Sequence, residues 1–127
     1  MGITLNKHER ATLIGLALET AYNLGFTLPQ RALLLGYNEE PGQNPQYLYR
    51  ELTELGKGVD VEQRCEYLCG FDALLEKVGC TNVPSKKRFI ETEHYECLHG
   101  DTFKEWLRNG DLERLKYAVE QLRFMST

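Results

Sequence analysis

Apolar residues recur along most of the chain every three to four positions, which is the period of a helix with one buried face. The first such run covers residues 11–21, and its wide apolar stripe predicts a long, central helix. Asn6 and Glu9 precede this run with the spacing of a capping box, and Gly25 follows it as a stop signal. The sequence therefore predicts a first helix between these signals.

A second and a third helix are predicted before residue 58. Thr27 and Gln30 form another capping box, and the short helix that they open ends at Gly36. A turn-rich stretch follows, and after it Asn44 and Pro45 form a pair that is typical of a helix start. The third helix is predicted to begin there. The predicted buried face of the third helix is Leu48, Leu52 and Leu55.

The second half of the chain continues in the same way. A fourth helix is predicted from Asp60 to Gly79, and a short one within Ser85–Thr92. Thr102 starts another short helix, and Asp111 caps the last one. Because no stretch alternates with a period of two, we expect an all-α fold. We expect a helix-turn-helix lobe over residues 1–58 and a small helical lobe over 59–127.

Composition restricts the class of protein. The chain has 127 residues, 42% of them hydrophobic and 27% charged, which suits one globular unit large enough for a core. Apolar runs are too short to cross a bilayer and the first ten residues carry no signal-peptide core, so we expect a soluble, cytoplasmic protein. The net charge of −4 does not exclude nucleic-acid binding, but such binding then requires the positive charges to be segregated.

The second and third helices have the layout of a helix-turn-helix, whose second helix reads the major groove. The predicted DNA-binding residues are Arg31, Gln46, Tyr47, Tyr49 and Arg50. The turn over residues 37–44 is longer than usual, and residues 27–58 carry a net charge of −1. An ordinary α-helical hairpin with a solvated polar face is therefore the alternative interpretation.

Other chemistry has little support. Cys65 and Cys69 lie one helical turn apart and could join His94, Cys97 or His99 in a zinc site, but no CxxC pair is present, and small buried cysteines in a reducing compartment are the favoured interpretation. The run Lys86, Lys87 and Arg88 could bind phosphate or an acidic partner, or could simply be solvated. Since no catalytic constellation is recognisable, we expect a protein that is not an enzyme and holds no cofactor or metal.

Three stretches carry a resemblance to a known family. They are "ALLLG" at 32–36 with "LYR" at 48–50, "RCEYLCGFDALL" at 64–75, and "GDTFKEWLRNGDLERLKYAVEQL" at 100–122. In their order and spacing the chain resembles the Xre/MbcA/ParS-like antitoxins of RES-type toxins. It departs from them at Phe103, where the family has proline, and in its longer turn.

The resemblance implies a helix-turn-helix followed by a toxin-binding domain. It implies a homodimer whose C-terminal part blocks the active site of a RES-type toxin that consumes NAD, and which also binds its own operator DNA. The implied toxin-binding residues are Arg108, Asn109, Gly110, Asp111, Leu112 and Leu115. Routine helix capping is the alternative interpretation of the same residues, and a DNA-binding regulator without a toxin is the alternative function.

Overall fold

A computed structural model describes residues 5–37, 43–55 and 59–127, and over these residues the fold is all-α. The helices are α1 (Lys7–Asn23), α2 (Leu28–Leu34), α3 (Pro45–Leu55), α4 (Val59–Lys77), α5 (Val83–Thr92), α6 (Phe103–Trp106) and α7 (Leu112–Met125). A 3-10 turn covers Glu96–Leu98, and an isolated antiparallel bridge joins His94 to Thr102.

The predicted helix starts are confirmed where side chains cap them. At α2 the Thr27 hydroxyl accepts the Gln30 N–H at 3.3 Å, while the Gln30 side chain accepts the Thr27 N–H at 2.9 Å. Equivalent boxes open α1 and α6, and Asp111 caps α7 as predicted. These signals are reliable because each cap is a contact between residues only two or three positions apart.

Two predicted starts are displaced. Helix α4 begins at Val59, so Asp60 lies inside its first turn, where its carboxylate accepts a hydrogen bond from Arg64 at 2.9 Å. Helix α5 begins at Val83, because Asn82 forms a capping box with Ser85. Asp60 is thus bound to Arg64 within the helix, and Ser85 takes part in the cap in the first turn of α5.

The core is continuous through both predicted lobes. Helix α4 packs against α1 on one side and α7 on the other, and α1 also packs against α2 and α3. Fully buried side chains from each half meet in it, among them Ile14, Leu48, Phe71, Phe103 and Leu115. The predicted boundary at 58/59 adjoins residues 56–58, which lie outside the described residues, and the helices on its two sides share one apolar interior.

The turn residues 38–42 of the predicted helix-turn-helix also lie outside the described part of the chain. Helices α2 and α3 are present as predicted, and each packs on α1. Among the described residues no helix has the length and apolar character needed to cross a membrane.

Candidate functional site

The predicted toxin-binding corner lies between α6 and α7, where Gly110 has a left-handed backbone (φ +67°) and is buried. A Cβ atom at Gly110 would overlap the Leu33 carbonyl group and lie 2.7 Å from the Leu33 Cβ. Only glycine lets the two backbones approach so closely. The corner therefore packs against the end of α2, and this contact fixes the position of the corner.

Arg64 of α4 joins the same two segments. Its Nη1 donates to the carbonyl oxygens of Leu33 and Leu34, each at 3.2 Å, and to that of Gly110. Its Nε donates to the Asp60 carboxylate at 2.9 Å. A cation at the C-terminal end of α2 also complements the helix dipole. A single, mostly buried guanidinium thus holds α2, α4 and the corner together.

The two helices on either side of the corner are fixed by polar contacts. The Asp111 carboxylate accepts the N–H groups of Glu113 at 2.8 Å and Arg114 at 3.2 Å. The Trp106 indole donates to the Arg114 carbonyl at 3.0 Å, and the Arg114 guanidinium lies 4.3 Å from the indole centroid. Arg114 Nη1 returns a hydrogen bond to the Trp106 carbonyl at 3.3 Å. The corner is consequently rigid on both sides.

The structure divides the six predicted toxin-binding residues. Gly110 and Leu115 are buried, so the prediction that they contact a partner is corrected: their place is in the interior, against Leu33 and in the core. Arg108, Asn109 and Asp111 are exposed, and Leu112 is half-buried.

Leu33 belongs to the same surface, since it touches Gly110 and is 36% exposed. We call Leu33, Arg108, Asn109, Asp111 and Leu112 the corner surface. Sequence reasoning missed Leu33 because it lies in an apolar run typical of a core, and it missed Arg64 because its partners are distant backbone carbonyls.

The predicted DNA-reading residues on α3 are only partly available. Gln46, Tyr47 and Arg50 are exposed, whereas Tyr49 is half-buried and packs against the core beside Gly15, which leaves only part of its side chain accessible for the predicted base contact. Hydrogen bonding to Glu51, and then to Tyr37, raises the pKa of Tyr47 to about 12. An acidic group therefore lies beside the exposed face of α3.

Arg31 lies on a different surface from the other predicted DNA-binding residues. Its Nη1 donates to the Phe26 carbonyl at 2.7 Å, and its guanidinium lies 5.3 Å from the Tyr22 ring centroid. Partial burial lowers its pKa, although an arginine stays charged at neutral pH. It lines a groove with Tyr22 and Lys87 of α5. The structure thus separates Arg31 from Gln46, Tyr47 and Arg50.

The residues considered for zinc have other surroundings. Cys65 is fully buried, and burial raises the pKa of its thiol to about 12. The His94 Nδ1 atom lies 2.8 Å from the Gly100 carbonyl oxygen. The centroids of the His99 and Trp106 rings are 5.8 Å apart. Within residues 5–37, 43–55 and 59–127, no three His, Cys, Asp or Glu side chains come together in the way a metal ion requires.

Comparison of the chain with protein-family models, with curated proteins and with solved structures finds no match.

Proposed function

We propose that this chain is an antitoxin-like protein that binds a RES-type toxin and occludes its NAD-consuming active site. The observation that carries the proposal is a corner held by close backbone packing and hydrogen bonds, with Arg108 and Asn109 exposed at its tip. It is supported by the sequence resemblance, which points to the same residues. Occlusion requires no chemistry from the chain itself, only a surface that stays in place.

Rigidity matters because association loses less entropy when a surface is already ordered. Four contacts order the corner: Gly110 against Leu33, the Arg64 hydrogen bonds, the Asp111 cap and the Trp106–Arg114 pair. A partner would therefore meet a main chain that is already ordered at the corner.

Arg108 is the expected anchor of the interface. Its Nη1 donates to the Glu105 carbonyl at 2.8 Å and lies 3.8 Å from the Asp101 carboxylate, while about half of the side chain is exposed. A guanidinium has five N–H donors, so Arg108 keeps several for a carboxylate or carbonyl of a partner. Leu33 and Leu112 add apolar area to the corner surface. Arginine flanked by apolar surface is typical of a binding hot spot.

The test is to look for a RES-domain toxin in the reading frame next to this gene and to co-express the two proteins. We expect the wild-type chain to copurify with the toxin and to restore cellular NAD and growth. Arg108→Glu should weaken the complex by at least about tenfold, the scale of one lost hot spot. Arg88→Glu on α5 is the matched control, since it changes the charge equally, and it should bind as the wild type does.

The proposal is contradicted if the chain neither binds nor neutralises such a toxin. It is also contradicted if Arg88→Glu weakens the complex as much as Arg108→Glu, because the effect would then be one of overall charge. Thermal unfolding of both variants should match the wild type, as both side chains are exposed. Size-exclusion chromatography with light scattering tests the implied homodimer.

Operator DNA is a second candidate ligand. Gln46, Tyr47 and Arg50 are exposed in the first two turns of α3, where a recognition helix contacts bases. We expect any mobility shift of the gene's upstream DNA to weaken in the double variant Gln46→Ala/Arg50→Ala. Glu54→Gln, which removes a nearby exposed carboxylate, should strengthen it. If wild-type protein shifts no DNA at low salt, α3 is a structural helix.

A further inference from the structure

Two neighbouring grooves form a surface away from the corner. One is lined by the end of α1, the loop after it, Arg31 of α2 and part of α5, and the other runs along the exposed side of α5. The grooves share Val83 and Lys87, so they adjoin each other. We call Tyr22, Arg31, Val83, Lys87 and Arg88 the basic face.

The basic face concentrates positive charge in a chain whose net charge is −4. Arg31, Lys87 and Arg88 contribute three cations, and no carboxylate among the described residues forms an ion pair with any of them within 4.0 Å. The carboxylate of Glu91, in the second groove, is already bound by Lys104 at 2.9 Å. The charge segregation that binding to a polyanion requires is therefore present here.

The structure also separates the lysine–arginine run of the sequence into two parts. Lys86 pairs with Asp72 at 3.1 Å and with Glu76 at 3.3 Å, both on α4. Partial burial opposes its charge, but the hydrogen bonds and charges of these two carboxylates raise its pKa overall. Lys86 thus fastens α5 to α4, while Lys87 and Arg88 remain exposed.

An aromatic ring completes the basic face. Tyr22 is 66% exposed, so its ring is accessible to a ligand, and the Arg31 guanidinium lies 5.3 Å from its ring centroid. Arg31 is held there by its hydrogen bond to Phe26. Exposed aromatic rings among cations are typical of proteins that bind single strands, because unstacked bases stack on the ring while cations contact phosphates.

We propose that the basic face binds single-stranded nucleic acid, with a base stacked on Tyr22 and phosphates contacted by Arg31, Lys87 and Arg88. A duplex keeps its base faces stacked internally and would leave the Tyr22 ring unused. An acidic peptide without aromatic residues would use the cations, but it offers no aromatic group to stack on the ring.

The experiment is fluorescence anisotropy of labelled single-stranded DNA and RNA, about 12 nucleotides long and of mixed sequence, with the full chain. We expect binding at about 50 mM salt that weakens as salt rises. Three phosphate contacts predict a slope of about −2 in a plot of log affinity against log salt concentration. A duplex of the same sequence and a poly-glutamate peptide serve as competitors and should displace the strand poorly.

Variants test the two parts of the basic face separately. Tyr22→Ala should weaken binding by about five- to 150-fold, the range for loss of one stacked base, and should leave the salt slope unchanged. Tyr22→Phe, which keeps the ring, should bind as the wild type does. Arg88→Glu should weaken binding and make the salt slope shallower, whereas Arg123→Glu, an equal charge change at an exposed position of α7, should have little effect.

Three results would overturn the proposal. One is the absence of any anisotropy change at low salt, and another is an equal loss of binding in Arg88→Glu and Arg123→Glu. The third is efficient displacement of the strand by the duplex or by poly-glutamate, which would assign the basic face to double-stranded DNA or to an acidic protein.

Discussion

Replacing Gly110 with alanine tests the close approach that positions the corner. Two costs are expected. A left-handed backbone costs a residue with a Cβ about 1–2 kcal/mol. The overlap with the Leu33 carbonyl adds a cost like that of overpacking a core, about 1–3 kcal/mol. The sum, about 2–5 kcal/mol, is a large part of the stability of about 5–15 kcal/mol that is usual for a domain.

Gly100→Ala is the matched control. Gly100 also has a left-handed backbone (φ +87°), but a Cβ there would meet nothing within 4 Å. Its substitution should therefore cost only the conformational part, about 1–2 kcal/mol. The difference in unfolding free energy between the two variants then measures the contact of Gly110 with Leu33.

Urea unfolding followed by circular dichroism gives these free energies, and an unchanged slope with urea would indicate that the same surface is exposed on unfolding. Because the overlap is with main-chain atoms of Leu33 as well as its Cβ, Leu33→Ala should not rescue Gly110→Ala. The reasoning is refuted if Gly110→Ala is no less stable than Gly100→Ala, or if shortening Leu33 restores its stability.

Three further predictions concern the interior and the caps. Arg64→Lys keeps the charge but loses the planar fork, in which Nη1 reaches three carbonyls while Nε binds Asp60, so unfolding free energy in urea should fall by about 1–3 kcal/mol; an unchanged midpoint would contradict this. Cys65, buried and with its pKa raised to about 12, should resist alkylation at pH 8 in the folded protein and react once urea unfolds it, as peptide mass spectrometry would detect. The Thr102 N–H, followed by the Thr102 hydroxyl, lowers the pKa of Glu105, so the stability that Glu105 contributes is present above its unfolded pKa of about 4.5 and lost as pH falls through the lower folded value. Glu105→Gln should therefore be less stable than the wild type at pH 7 and should approach it at pH 3; an equal difference at both pH values would argue against this linkage.

Local signals in the sequence predicted the all-α fold and most of its helix starts. The Thr27 and Asp111 caps could be predicted because the groups that meet in each of them are two or three residues apart. The displaced start of α5 shows the same principle, since Asn82 and Ser85 form a box that the apolar pattern did not indicate.

The candidate site could be predicted only in outline. The exposure of Arg108 and Asn109 could be expected, since they lie at a break between two helices. The burial of Gly110 could not, because it depends on Leu33, which lies 77 residues earlier in the chain. Likewise, Arg31 lies on the groove with Lys87 and not with the exposed face of α3, because the loop before α2 brings it against Tyr22 and α5. Contacts of this kind depend on tertiary packing, which residue spacing does not encode.

The interior shared by α1, α4 and α7 also governs how the chain can fold during its synthesis. While the ribosome has released only α1 to α3, the apolar side of α1 that packs on α4 is exposed to water. The carbonyl groups at the end of α2 do not yet have their hydrogen bonds from Arg64. The packing contact between Leu33 and Gly110 can form only when most of the chain has emerged. Two fragments divided after residue 58 would each leave apolar surface uncovered, and they would regain structure only by associating with each other.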